Sequence, residues 1–292
     1  MASGDTTTGS LADSMDTVND SARLFEESDF VVVKTVENVR LDEGDGLDWR
    51  EIRIEQLTAA GVTEDTVNEN FQELEDTLFS VQPGMTQCTV RITDKTYRRI
   101  SKTVGPLLGK GIQLAMNRKM ETDGTSQFSN WSNGVAGTGT SLAQSDIGAA
   151  VNNIFGNTTE TGINQGPIHA VLHSFQIADL EDELLQGIST YNVPKGLTED
   201  IYRQNWAGMC RGANVWRADN ITIDATPDAR GSVHAERAIV LVRELGLRTE
   251  TERFPRVGGG ADAITATQGY EFGERQDAWG FSVLSDATAP TG

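Results

Sequence analysis

The chain has 292 residues, 37% hydrophobic and 7% aromatic, with 24 basic against 43 acidic residues for a formal charge of −19. This length supplies one large domain or two modest ones, and the charge argues against free nucleic acid as a ligand for the surface as a whole. Cys88 and Cys210 have no C-x-x-C spacing, which argues against a disulfide framework or structural zinc and for reduced thiols. The N-terminus lacks a basic and then apolar leader, and no apolar run approaches eighteen residues, so neither a signal peptide nor a membrane span is expected.

Residues 1–29 carry seven acids and one arginine and read as an extended arm. "FVVVKTVENVRL" (30–41) has the β-branched density of a strand. "LDWREIRIEQL" alternates like a strand with one apolar face, and after a polar stretch "LFSVQPGMTQCTVRI" reads as its returning partner. A two-stranded excursion of this kind is marginal in water and must lie on something else. "TDKTYRRISKTVGPLLGKGIQLAMNRKMETDG" (93–124) has apolar residues at three-to-four spacing, which predicts a helix capped by Thr93 or Asp94, kinked near Pro106 and ended by Gly124. A small-residue loop follows, then a helix over about 144–155 with Ile147, Ala150, Val151 and Ile154 inward. "GPIHAVLHSFQIADLEDELLQG" supplies a buried strand and a helix over about 174–186. "TEDIYRQNWAG" suggests a short helix, "CRGANVWRADNITID" a hairpin, and three further strands close the chain. The class is α+β, without regular βαβ alternation.

Candidate chemistry is sparse. His169 and His173, four apart, share a strand face and could meet one metal, with Asp179, Glu181 and Glu183 near. The H-E-x-x-H helix signature is absent and the remaining histidine is His234, so two structural side chains in or beside a strand is the preferred reading. "GPLLGKG" has the wrong glycine spacing for a phosphate loop, "VGGGADA" lacks the context of a dinucleotide fingerprint, and no G-x-S-x-G elbow exists. Sequons at Asn130, Asn157 and Asn220 mean little without a secretion signal. No catalytic constellation, cofactor site or metal site survives.

Charge distribution says more. Residues 41–79 hold twelve acids against Arg50 and Arg53, a net of −10, whereas residues 93–120 hold seven bases against Asp94 alone, a net of +6. An acidic ribbon that cannot bury itself thus shares a chain with a basic helix, which points to contact with a neighbouring copy. The expected contact residues are Trp49, Glu51, Glu55, Glu64 and Glu73 on one side and Lys95, Arg98, Arg99 and Lys102 on the other. Apolar ribbon residues such as Ile52 and Leu57 add area.

This order of segments, with "VRITDKTYRRI" opening a long helix, "VLHSFQIADLEDEL" as strand then helix and "YEFGERQDAWGFSVLS" near the end, resembles the major capsid protein of tailed bacteriophages. Its fold is the Hong Kong ninety-seven-like capsid fold. Ser174 departs from the proline often found there in related chains. The resemblance implies an N-terminal arm (1–41), an extended loop (42–92), a peripheral domain with a long spine helix (93–135), an axial domain (136–235) and closing strands of the peripheral domain (236–292).

The same resemblance implies a non-enzymatic shell protein without cofactor. It would form hexamers and pentamers of an icosahedral head in the host bacterial cytoplasm, enclose double-stranded DNA without sequence-specific binding, and meet scaffolding, portal and decoration proteins but no membrane. The expectation is that scaffolding is a separate protein and that the subunit stays uncleaved. Some relatives weld subunits through a lysine of the extended loop; residues 41–92 contain no lysine, so that weld is not expected. The alternatives are an encapsulin-type compartment shell and a metal-dependent hydrolase using His169 and His173.

Overall fold

The computed structural model describes residues 30–44, 46–54, 76–99, 104–156, 166–188, 208–257 and 259–290, with isolated positions between 57 and 73. The arm at 1–29 and the helix expected within 198–207 lie outside the described residues.

Two sheets organise the described chain. The first has the order β1 (Glu37–Arg40), β10 (Ile239–Phe254), β11 (Ala261–Glu274), β4 (Gly84–Thr93), with β1 parallel to β10 and the rest antiparallel. On it lies α3 (Val104–Ser126), 23 residues and thus about 35 Å long. Its buried Ile112 and Met116 pack against Cys88, Val90, Ile264 and Ala266. The β10–β11 pair starts in the core, where Ile239 to Val242 are fully buried, and runs outward until both sides of β10 meet solvent.

The second sheet has the order β5 (Gly134–Ala136), β12 (Gly280–Asp286), β9 (Asp228–Ala235), β6 (Ile168–Leu172), β8 (Ala213–Arg217), β7 (Met209–Cys210). All five residues of β6 are buried, because both faces of the strand are covered, which is why its sequence is a continuous apolar run. Ile168, Ala170 and Leu172 meet α4 (Gln144–Gly156) and α5 (Ser174–Ile188) through Ile147, Ala150, Val151, Ile154, Ile177 and Leu180. Val171, on the opposite face, joins Phe128, Trp131, Ile239, Leu241 and Phe272 in the core between the two sheets. The side chain of Leu184 lies outside the described residues.

Several expectations are corrected. Residues 30–41 are not one strand: α1 (Val32–Thr35) forms a helical turn before β1. The cause is tertiary, since buried Glu121 of α3 accepts the Val31 and Val32 N–H groups at 2.9–3.0 Å and satisfies the start of that turn. The returning strand is two strands, β3 (Asp76–Val81) paired with β2 (Trp49–Ile54), and β4 in the body sheet. They part at Gln82-Pro83, where proline has no N–H to give a ladder. The extended loop therefore ends at Val81 and not at residue 92.

The helix expected over 93–124 is α2 (Asp94–Arg99) followed by α3, with residues 100–103 outside the described residues. Pro106 falls in the first turn of α3, where a missing N–H costs no helical bond. Gly124 does not end α3; a Cβ there would lie 2.6 Å from Val32 Cγ1 and 3.0 Å from Phe272 Cζ, so the glycine admits α1 and β11 against the helix. Finally, β5 and β12 belong to the second sheet, so 134–136 and 280–286 fall with the axial segments and not with the peripheral ones. Pairing partners about 50 residues apart, as β9 and β12 are, leave no local mark on the sequence.

Candidate assembly surface and the histidine cluster

The β2–β3 ribbon has two unlike faces, because side chains alternate across a strand. Trp49, Phe79 and Val81 turn inward and pack with Leu41, Val240 and Val242 of the body, Trp49 meeting Phe79 edge-on at 6.0 Å. Gly273 of β11 makes this possible: a Cβ there would collide with Val81 and come within 3.0 Å of Phe79. The opposite face carries Ile52 directly across from Leu78, and this apolar pair is 64% and 58% exposed. No described part of the chain covers it. Phe71 and Leu57, farther out, are exposed as well.

The expected contact residues divide accordingly. Trp49 and Glu51 are engaged by their own body, Glu51 Oε2 lying 2.8 Å from Arg275 Nε and Trp49 under the same guanidinium at 5.8 Å. Glu64 and Glu73 are exposed, and Glu55 lies outside the described residues. On α2, Lys95 and Arg98 are exposed; the Arg99 side chain and Lys102 lie outside the described residues. Asp94, the one acid of the basic stretch, is taken by Arg253 in a two-pronged pair at 2.5–2.6 Å, which holds its carboxyl below the usual range; Arg253 also meets Asp262 at 3.0 Å. The positive charge of α2 is thereby left without its sequence neighbour. Composition alone missed Arg275, Glu37 and Arg253, whose partners lie far away in the chain.

The histidines occupy structural positions. His169, in β6, accepts the Trp216 indole N–H on Nδ1 at 3.0 Å and is the register partner of His234 in β9. His173 sits one residue past β6, at the N-cap of α5. Its Nδ1 accepts the Phe175 N–H at 3.2 Å, and Gln176 Oε1 accepts the His173 N–H at 3.0 Å, a capping box with histidine in the place of serine. Gln176, fully buried, also donates to the Ala229 carbonyl and to Ser285 Oγ, tying α5 to β9 and β12. Ser174 is then the first helical residue, a position that tolerates proline equally well. Asp179 and Glu183 accept the Leu142 and Gln144 N–H groups at the start of α4 instead of facing the histidines. Among the described residues no group of three or more His, Cys, Asp or Glu is placed to hold a metal ion.

A spine helix on a four-stranded sheet, a six-stranded sheet flanked by helices and a protruding two-stranded ribbon make up the Hong Kong ninety-seven-like capsid fold. No protein-family model and no curated protein matches the chain. Solved structures do. The head of Helicobacter pylori bacteriophage KHP40 is 13% identical with a TM-score of 0.70, covering 93% of this chain and 95% of that one. The mature capsid of bacteriophage PhiM1 is 14% identical at 0.63, covering 94% and 91%. The SrpI encapsulin complex of Synechococcus elongatus is 11% identical at 0.62, covering 97% of both chains.

Proposed function

We propose that this chain is the major capsid subunit of a tailed bacteriophage, a non-enzymatic protein that self-assembles through hexamers and pentamers into the icosahedral head around double-stranded DNA. The observation that carries the reading is the ribbon. It reaches out of the body with the Ile52–Leu78 pair uncovered and, by sequence, an acidic tip, a form that suits a neighbouring copy and no small molecule. The fold supports the same reading, as do the acidic surface, which repels packaged phosphates, and the capped and hydrogen-bonded histidines.

The acids of the ribbon, Glu55, Glu64 and Glu73 among them, lie over Lys95, Arg98, Arg99 and Lys102 of an adjacent subunit, with Ile52, Leu78 and Leu57 supplying apolar area. Trp49 and Glu51 hold the ribbon to its own body instead of reaching the neighbour. Assembly takes place in the host bacterial cytoplasm and the product is the virion shell, with any scaffolding, portal and decoration proteins as separate chains.

Electron microscopy of the purified full chain tests this: shells or capsomers are expected, and a small monodisperse globule carrying about one tightly held metal ion per chain would overturn it in favour of a metallohydrolase. The likeness to an encapsulin favours a second reading, a compartment around protein cargo. Nuclease-protected DNA inside the shells supports the first reading, and enclosed protein supports the second.

A further inference from the structure

The root of the ribbon is gathered on one arginine. Arg275 follows β11, and its side chain is 15% exposed. Its Nη1 donates to Glu37 Oε2 of β1 at 2.5 Å and to the Arg237 carbonyl at 3.3 Å. Its Nε lies 2.8 Å from Glu51 Oε2 of β2, and the guanidinium plane sits 5.8 Å from the centre of the Trp49 ring. The backbone is held too, the Arg275 N–H donating to the Ala238 carbonyl at 2.8 Å. Arg237 Nε stands 3.9 Å from the same Glu37 carboxylate, so two guanidinium groups balance two carboxylates within the cluster.

We propose that Arg275 is the pin that sets the ribbon at its angle to the body: a positioning residue that joins β1, β2 and the end of β11 before any neighbour arrives. Three features make it a pin and not an ordinary surface pair. The guanidinium fork has donors in a fixed plane, so the two carboxylates and the ring must take one mutual arrangement. Its charge is matched inside the subunit, so the cluster asks nothing of a partner. And the ribbon has few other attachments, namely the Trp49, Phe79 and Val81 face seated at Gly273. A two-stranded ribbon is marginal alone, so the ladder between β2 and β3 depends on this seat. The inference concerns the single subunit and stands whether or not the shell reading holds.

Hydrogen exchange on the full chain, dispersed as subunits, reads it. In Arg275→Ala the amides of 49–54 and 76–81 should exchange faster by about tenfold or more, the factor that one charge-assisted hydrogen bond carries. Arg275→Lys, which keeps charge but not the fork, and Glu51→Gln, which keeps volume but not charge, should fall between. Arg253→Ala, which removes the pair with Asp94 and Asp262, should leave the ribbon amides at the wild-type rate. Ribbon amides unchanged in a folded Arg275→Ala chain would overturn the proposal. If that chain does not fold, unchanged amides in Glu51→Gln would do the same, and so would an equal loss of protection in Arg253→Ala.

Discussion

His169 of β6 and His234 of β9 stand opposite one another in adjacent strands, their ring centroids 6.4 Å apart, in a core that keeps both rings uncharged. His234 is fully buried; Trp131 Nε1–H donates to Ser232 Oγ, which lies 3.1 Å from His234 Nδ1. Burial, reinforced by His169, pushes the pKa of His234 down to about 3 against a weaker opposing effect of the Thr35 backbone. Burial lowers His169 and His173 as well, Asp219 partly opposing it at His173. Both use Nδ1 as an acceptor, which protonation would take away.

Acid should therefore loosen the subunit. Above about pH 6.5 neither the folded nor the unfolded chain protonates these rings. Below it the unfolded chain takes up protons that the fold refuses until about pH 3, so stability falls as pH drops through that window. Each histidine costs up to about 1.4 kcal/mol per pH unit there. Urea midpoints of the wild type should decline from pH 7 to pH 5, and His234→Gln should flatten the slope. Parallel slopes in the two chains would contradict this account.

Glu121 is the second buried group with a defined duty. Burial raises its pKa, while the Val31 and Val32 N–H groups pull it back. Truncation in Glu121→Ala leaves those buried donors without an acceptor and should cost about 1–3 kcal/mol, visible as a lower melting temperature. Glu121→Gln, which keeps one carbonyl acceptor, should cost less. An alanine variant as stable as wild type would remove α1 from the list of elements that α3 organises.

Two glycines of α3 should respond in opposite directions to the same substitution. At Gly109 a Cβ meets nothing within 4 Å, so Gly109→Ala should stabilise by up to about 1 kcal/mol through helix propensity. At Gly124 the same methyl meets Val32 and Phe272, and overpacking of about 1–3 kcal/mol outweighs propensity. Calorimetry of both variants checks the pair; a stabilising Gly124→Ala would mean that α1 gives way at no cost.

The proposed contact between copies makes its own forecast. Exposed ion pairs are worth only about 0.2–1 kcal/mol each, so a network has to act together. Double charge reversal at Arg98 and Arg99 should impair assembly, as should neutralising Glu64 and Glu73. Ile52→Ser should weaken particles in a way that salt does not mimic, because apolar burial is not screened. Denaturing gels should show monomer alone, since residues 41–92 carry no lysine. A ladder of covalent oligomers, or reversed-charge particles as stable as wild type across salt concentrations, would end this reading.

Local patterns were legible from the chain alone. The period of Ile147, Ala150, Val151 and Ile154 marked α4, and all four are buried. The unbroken apolar run of β6 announced a strand covered on both faces, and the order of segments pointed to the capsid fold. These succeed because helical periodicity and β-branched runs are written in neighbouring residues. Partnership was decided only by the tertiary structure. The "VVVKTV" stretch is bent into a turn by Glu121, 90 residues on, and "FSVLS" joins the axial sheet through β9. Trp49 and Glu51, read as contacts for a neighbour, are claimed by Arg275, which stands more than 220 residues away in the chain. Sequence spacing carries no record of which distant carboxylate a guanidinium will meet, because that choice is made by the packing of the sheets that bring them within reach.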